Sequence, residues 1–541
     1  MSASRYWQTL RHMKPRQFYG RLWFRFYRPP VDASPAPALR LPSGTWRSPA
    51  RRRPSLVGPT RFDLLNEQGD LRELGWDNPD REKLWRYNQH YFDDLNAFEA
   101  EERRDWHRDL LAAWLAENPA AQGSGWEPYP TSLRIVNWIK WDLAGGGLDE
   151  RHRNSLAVQA RWLRRRLEWH LLGNHLFVNA KALIFAGLYF EGDEARRWLD
   201  LATRILEREI PEQVLADGGQ FELSPMYHAL ALEDLLDLVN ILCAFERALG
   251  PAQMQLLDRC RALVPKMRGW LDAMSHPDGE ISFFNDAALD IAPANAELSG
   301  YAERLGLHAV QSVVSPWLGE SGYARLENGD AVLIADMAAV GPDYLPGHAH
   351  ADSLSFELSI GTERIIVNGG TSVYGAGPER QRQRGTAAHS TVTIAGRNSS
   401  DVWSGFRVGR RARVSGARVS CSLAGCEAEA RHDGYRTLPG HPEHARRWFL
   451  GERQLRVIDR ISPAHPGGIA RYHLHPSIRA VAAGPSGGTL HCASGRVLRW
   501  SSSGSARLED SSWHPRFGQT IPTSCIAIAA GTADTEFTLS W

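Results

Sequence analysis

Three ionisable residues stand at alternate positions in Pro346-Gly347-His348-Ala349-His350-Ala351-Asp352, just before the apolar alternation of Leu354, Phe356 and Leu358. Imidazoles and a carboxylate in this pattern suit two chemistries: proton transfer near neutral pH, or ligation of a metal such as zinc. If 348 to 358 is extended, every second side chain shares a face, so His348, His350 and Asp352 gather with Leu354, Phe356 and Leu358 and the polar end lies at a sheet rim. Asn368, in an Asn-Gly-Gly-Thr stretch that leads to Tyr374, and then Arg384 and His389 follow on neighbouring strand-like segments. Several imidazoles with an amide or carboxylate from adjacent strand ends can hold zinc, although these spacings are looser than those of a zinc finger.

Three further patches lie earlier in the chain. In Glu222-Leu223-Ser224-Pro225-Met226-Tyr227-His228, serine before proline is a helix-start signal that puts Tyr227 in the first turn. The positive helix end would favour a phenolate there, so Tyr227 is a candidate base. Asn174 and His175 open an apolar segment; asparagine is a common N-cap, whereas His175 has no such structural reason to be there. His90 and Tyr91, followed by Trp126, Glu127, Tyr129 and Arg134, mix aromatic and charged groups in a way that suits stacking a sugar and pairing an anion. The same residues also read as an ordinary helix start, with Thr131 or Ser132 as cap and Arg134 in a salt bridge. Trp403 is one of 20 tryptophans, a load for which sugar stacking is one use.

These residues need two kinds of element to position them. Apolar residues recur at three- and four-residue spacing from about 107 to 274, which predicts a layered series of amphipathic helices. From about 320 the period changes to two, in Ala331–Asp336, Leu354–Leu358, Ile365–Val367, Thr391–Ile394, Leu455–Asp459 and Cys525–Ala529, which predicts antiparallel sheets packed face to face. Three units follow: an N-terminal extension and linker over 1–60, a helical domain over 61–315 and a β-domain over 316–541.

Lys and Arg total 63 against 62 Asp and Glu, so no overall field marks nucleic acid as a partner. Residues 1 to 53 depart from this balance, with 12 basic residues and the single acid Asp32 among several aromatics. That composition suits peripheral contact with anionic lipid or polysaccharide, and equally two short helices docked on the body. No apolar run reaches the roughly 18 to 20 residues of a spanning helix, and no Sec-type leader is evident. A cytoplasmic protein is expected, with periplasmic or membrane-peripheral placement open. The six cysteines are scattered without CxxC pairs, so buried free thiols are expected. Nucleotide loops and the GxSxG elbow of serine hydrolases are absent.

The ordered motifs NHxxxNxKAL, DGGxxExSPxYH, GHxHADxLSFEL, NGGTxxY and RxTxAHSTV resemble the heparinase II/III-like polysaccharide lyases from about residue 87 to 389. The resemblance implies an incomplete (α/α) toroid followed by an antiparallel β-sandwich domain. It also implies β-elimination on a uronic-acid polysaccharide such as a bacterial exopolysaccharide, capsule or glycosaminoglycan-like polymer. Carried over by motif, Asn174 with His175 would neutralise the uronate, and Tyr227 and His348 would exchange protons with it. Glu222, His228 and Arg384 join His90, Tyr91, Trp126, Glu127, Tyr129, Arg134 and Trp403 as substrate-binding candidates. No cofactor is required; a structural zinc would fall on His350, Asn368 and His389, with Asp352 orienting them. Asn368 stands where relatives commonly have Asp, which removes a negative ligand. Two rivals stay open: a toroid glycoside hydrolase using Glu127, Asp217 or Glu222, and a silent polysaccharide-binding protein.

Overall fold

The computed structural model describes residues 3–308 and 315–541. The expected domain boundary at 315–316 adjoins 309–314, which lie outside the described residues. Two short helices come first, α1 (Ala3–Leu10) and α2 (Pro15–Phe26). The helical body contains α3 (Arg104–Glu117), α4 (Pro128–Leu143), α5 (Glu150–Arg165), α6 (Gly173–Tyr189), α7 (Asp193–Gln213), α8 (Pro225–Ala244), α9 (Pro251–Ala273) and α10 (Asn295–Arg304). Together they form an incomplete (α/α) toroid.

Burial differs sharply among these helices. α5 and α7 carry the usual one-sided apolar stripe, but α6 and α8 are apolar nearly all round and are enclosed by neighbours along most of their length, as expected of interior helices. An ion cluster ties the interior together: Lys181 Nζ donates to Asp234 at 2.7 Å and also to Asp237, while Lys140 Nζ reaches Asp237 at 2.6 Å. The N-termini of these two central helices open at the same end, towards the β-domain.

That domain is built of antiparallel sheets. A five-stranded sheet has the order Trp317–Leu318, Tyr323–Asn328, Ala331–Asp336, Phe356–Ile360 and Glu363–Ile366. It packs with a four-stranded and an eight-stranded sheet around one core that includes Leu333, Phe356, Trp448, Tyr472 and Phe537.

Two local expectations need correction. The strand does not begin at 348: it starts at Phe356, and Leu354 has φ 61°, a left-handed conformation that interrupts alternation. His348, His350 and Asp352 are therefore placed by an irregular loop, not by strand phase. Nor are all thiols free, because Cys421 and Cys426 face each other across a hairpin and form a disulfide, leaving Cys243, Cys260, Cys492 and Cys525 reduced.

Candidate active site

The cleft between the domains collects side chains from two helix N-termini and from the loops of the β-domain. In α8 the cap works as the sequence predicts, with Ser224 Oγ accepting from Tyr227 N at 3.2 Å. The expected phenolate does not follow. Burial, reinforced by Tyr374 and Asp286, holds the Tyr227 pKa well above its ordinary value, so this side chain is a phenol whose OH shares a 2.9 Å hydrogen bond with Tyr374 OH. The desolvation of a buried charge outweighs the helix dipole here.

At α6 the helix begins two residues earlier than an Asn174 cap would require, and Leu172 takes the cap position. Asn174 is thus left in the first turn, half-buried, with no hydrogen bond from its amide to any described residue. His175 lies beside it, its Nδ1 3.2 Å from Glu168 Oε1 and its ring 4.6 Å from that of Tyr129. Burial opposes a charge on His175, but Glu168 prevails and raises its pKa. Glu168 itself is held by Asn179, which accepts from Glu168 N at 2.9 Å and donates to Glu168 Oε2 at 3.2 Å.

His348 enters from the opposite wall. Its ring centroid is 3.9 Å from that of Tyr227, its Nδ1 donates to Asp286 Oδ2 at 2.8 Å, and its side chain stays 14% exposed. Glu222 Oε2 is 3.7 Å from His348 Nε2. Burial raises the Glu222 carboxyl despite the pull of His348 and His175. Asp286 is the hub of this wall. It also accepts from His350 Nε2 at 2.8 Å, from Thr371 Oγ1 at 3.3 Å and from Arg380 through both guanidinium nitrogens. Burial alone would raise the Asp286 carboxyl, yet Arg380 and the two imidazoles keep it well below the usual carboxylate range.

Behind Asp286, ligand atoms of His350, Asp352 and His389 all lie within 4.8 Å of one another. Desolvation lowers His350 to about 4 and His389 to about 3, so both imidazoles are neutral, the form that ligates metal. His350 Nδ1 and His389 Nε2 are 3.2 Å apart, close to the roughly 3.3 Å that tetrahedral zinc with bonds of about 2.0–2.1 Å would span. The donor set fits zinc, with Asp352 in the place expected for Asn368. Asn368 is otherwise occupied: its Oδ1 accepts from Ser390 N at 3.1 Å and its Nδ2 donates to Ser355 Oγ at 3.3 Å.

Of the substrate-binding candidates, Glu222 and Tyr129 border the cleft. Tyr91 lies behind Tyr129 with ring centroids 6.0 Å apart, and Glu127 holds Tyr87 and Lys83. The others point elsewhere. His90 is fully buried, accepts from Trp114 Nε1 at 3.1 Å and is lowered to about 3 by desolvation. Arg134 lies under Trp114 at 3.9 Å and donates to Gln159, while Trp126 packs against Trp114. His228 bridges Gln220 N and Met267 O, and Arg384 donates to the carbonyls of Ala349 and Gly405. Trp403 is covered by α1, where its Nε1 donates to Thr9 Oγ1 at 3.2 Å. These side chains make their contacts with interior neighbours and not with the cleft. Sequence reasoning missed Asp286, Arg380, Tyr374 and Glu168 as parts of the site.

The fold agrees with the comparisons to known families and solved structures. Residues 151–303 match the family model Heparinase II/III N-terminus and residues 311–541 match Heparinase II/III-like, C-terminal. The chain belongs to the heparinase II/III-like family. It is 28% identical over 247 residues to a heparin-sulfate lyase of Bacteroides stercoris, an alignment covering 42% of this chain and 36% of that protein. It is also 29% identical over 345 residues to FtsZ-localized protein C of Caulobacter vibrioides, covering 59% of this chain and 56% of that one. The matched part is thus well under two thirds of either relative's length. Among solved structures, a crystal structure of heparinase III superposes with TM-score 0.67 at 16% identity, covering 86% of this chain and 78% of that one. Heparan sulfate lyase HepC of Pedobacter heparinus, as a mutant, gives 0.60 at 20% identity over 89% and 81%.

Proposed function

We propose that this protein is a polysaccharide lyase that cleaves a uronic-acid-containing polymer by β-elimination. The observation that carries this reading is the facing pair of Tyr227 and His348, one a buried phenol and the other an imidazole fixed by Asp286, beside the charge-favouring His175 and the amide of Asn174, which has no hydrogen-bond partner among the described residues.

The C5 proton of a uronate is a poor acid while the adjacent carboxylate is charged. An amide N–H from Asn174 and an imidazolium at His175 would neutralise that carboxylate and stabilise the enolate-like charge that develops as the proton leaves. Asp286 accepts from His348 Nδ1, which leaves Nε2 as the free lone pair facing the cleft, the side suited to remove the C5 proton. As the C5–H electrons form the C4=C5 bond, the C4–O4 bond breaks and the Tyr227 OH delivers its proton to O4. Tyr374 then donates to the phenolate, and proton exchange with solvent resets both groups. His350, Asp352 and His389 would hold a zinc ion when one is bound, where it would order the wall behind His348 through Asp286.

A uronate polymer is the substrate class, with bacterial exopolysaccharide, capsule or a glycosaminoglycan-like chain as the sources to test. The experiment is a panel of such polymers assayed for the ultraviolet absorbance of the new C4=C5 bond. Tyr227→Phe and His348→Ala should each reduce turnover by about 10²–10⁴-fold; full turnover in both would reject these roles. The match to a relative named for its location and not for an activity favours a second reading, a chain that keeps the cleft without turnover. Binding with no absorbance change on every polymer would select it.

A further inference from the structure

Helices α1 and α2 precede both family matches and fasten across the two domains. On the toroid side, Gly20 packs on His170, where an added Cβ would lie 3.1 Å from His170 Cβ, and Phe24 stacks on the same imidazole at 4.3 Å. On the β-domain side, Gln17 Nε2 donates to Tyr344 O at 3.1 Å, Arg5 Nε to Asp401 at 2.9 Å, and Tyr6 packs edge-on against Trp403. Gln17, Gly20 and Phe24 therefore define the inward face of α2.

The outward face is apolar, the reverse of a normal surface helix. At about 100° per residue, Phe18, Tyr19, Leu22, Trp23 and Phe26 fall opposite the inward stripe. All five are exposed, Leu22 and Trp23 at 62% and Phe26 at 76%. Exposed Arg21 and Arg25 flank this stripe, Arg28 follows it, and neither helix contains an acid. A contiguous exposed apolar stripe of this kind marks an interaction surface.

We infer that the outer face of α2 docks on an anionic lipid bilayer. Aromatic and leucine side chains with flanking arginines match the interfacial layer of a membrane, where the apolar groups enter the acyl boundary and guanidinium groups meet phosphates. A polysaccharide would need hydrogen-bond partners for its many hydroxyls, and the stripe offers only the Tyr19 hydroxyl and the Trp23 indole N–H. Docking in this way also orients the cleft: Tyr344, held by Gln17, precedes Leu345, whose Cδ2 lies 2.3 Å from where a Cβ on Gly173 would be, next to Asn174. The inference does not depend on the lyase reading.

The test is co-sedimentation of the full chain with phosphatidylcholine vesicles with and without phosphatidylglycerol. Binding is expected to the phosphatidylglycerol vesicles, weakening with salt, and Trp23→Ser with Phe26→Ser should weaken it by about tenfold or more. Because both side chains are exposed, the variant's melting temperature should match wild type. Absence of sedimentation, equal binding by the variant, or salt-insensitive binding to both vesicle types would overturn the inference. So would dimerisation in solution that the same double substitution abolishes, since a second copy would then be the occupant.

Discussion

Replacing Asp286 by Asn tests the wiring of the cleft most directly. Its Oδ2 accepts from His348 Nδ1 and Arg380 Nη2, each within 2.8 Å, and its Oδ1 accepts from His350 Nε2 and Arg380 Nη1. Asparagine has nearly the same shape but only one acceptor oxygen. Whichever way the amide turns, its NH2 faces Arg380 and one imidazole, donor against donor. The buried guanidinium also loses its counter-charge, and breaking a buried pair from one side costs about 3–5 kcal/mol out of a typical total of roughly 5–15 kcal/mol. If the amide NH2 meets His348, the proton moves to Nε2 and the lone pair that would accept the C5 proton is gone. Orienting carboxylates contribute about 10-fold to 10⁴-fold in other sites, so kcat should fall by about 10²–10⁴-fold while KM changes little. Initial rates of ultraviolet absorbance and thermal unfolding by circular dichroism give the two readouts. Adding Arg380→Gln should recover stability without recovering kcat. The pH dependence has a definite sign: the folded Asp286 pKa is depressed, so its stabilisation is complete above the unfolded value of about 3.9 and is lost as pH falls through the folded one. The stability difference between wild type and Asp286→Asn should therefore shrink in acid. A folded Asp286→Asn enzyme with kcat within about threefold of wild type would refute the proposed role of this carboxylate.

Glu168 raises the His175 pKa above its ordinary 6.5, so the imidazolium is fully present below that value and is lost as pH rises through the raised one. The alkaline limb of kcat/KM should therefore move to lower pH in Glu168→Gln, and an unmoved limb would remove His175 from the carboxylate-neutralising role. Zinc-equilibrated protein should retain metal by elemental analysis, with His389→Ala losing it and Asn368→Ser keeping it; loss in Asn368→Ser would reinstate Asn368 as the ligand. Under denaturing, non-reducing conditions four thiols should react, and six after reduction, as the Cys421–Cys426 pair requires. Six reactive thiols before reduction would contradict that pairing.

The helix-then-sheet order was legible because periodicity is local, and so was the Ser224 cap, which depends on three adjacent residues. The direction in which a polar side chain turns was much less so. His90, Arg134 and Trp126 have the composition of a sugar-binding patch, but Trp114 covers them, and nothing in their own spacing announces that neighbour. The alternation at 348 to 358 suggested one continuous strand, whereas the left-handed Leu354 divides it and lets His348 and His350 approach Asp286 from different sides. Asp286 had no local signature. Its partners lie 62, 64 and 94 residues away, so only the packing of one domain on the other creates the hub.

Because one carboxylate serves both imidazoles, the histidine pair behind it has a single short route to the chemistry. Oδ2 holds His348 and Oδ1 holds His350, whose other nitrogen faces His389. A change at His389, with or without metal, can displace His350 and reach His348 by rotating Asp286. Once Asp286 is replaced by Asn, that route no longer exists in its original form. The losses in kcat from His389→Ala and Asp286→Asn should therefore be less than additive in a double-mutant cycle, as expected of groups acting in one network. Strict additivity would mean that His389 acts on the cleft by another path, through the backbone of the Arg384–His389 segment, and that the support wall and the proton-transfer pair are separate devices.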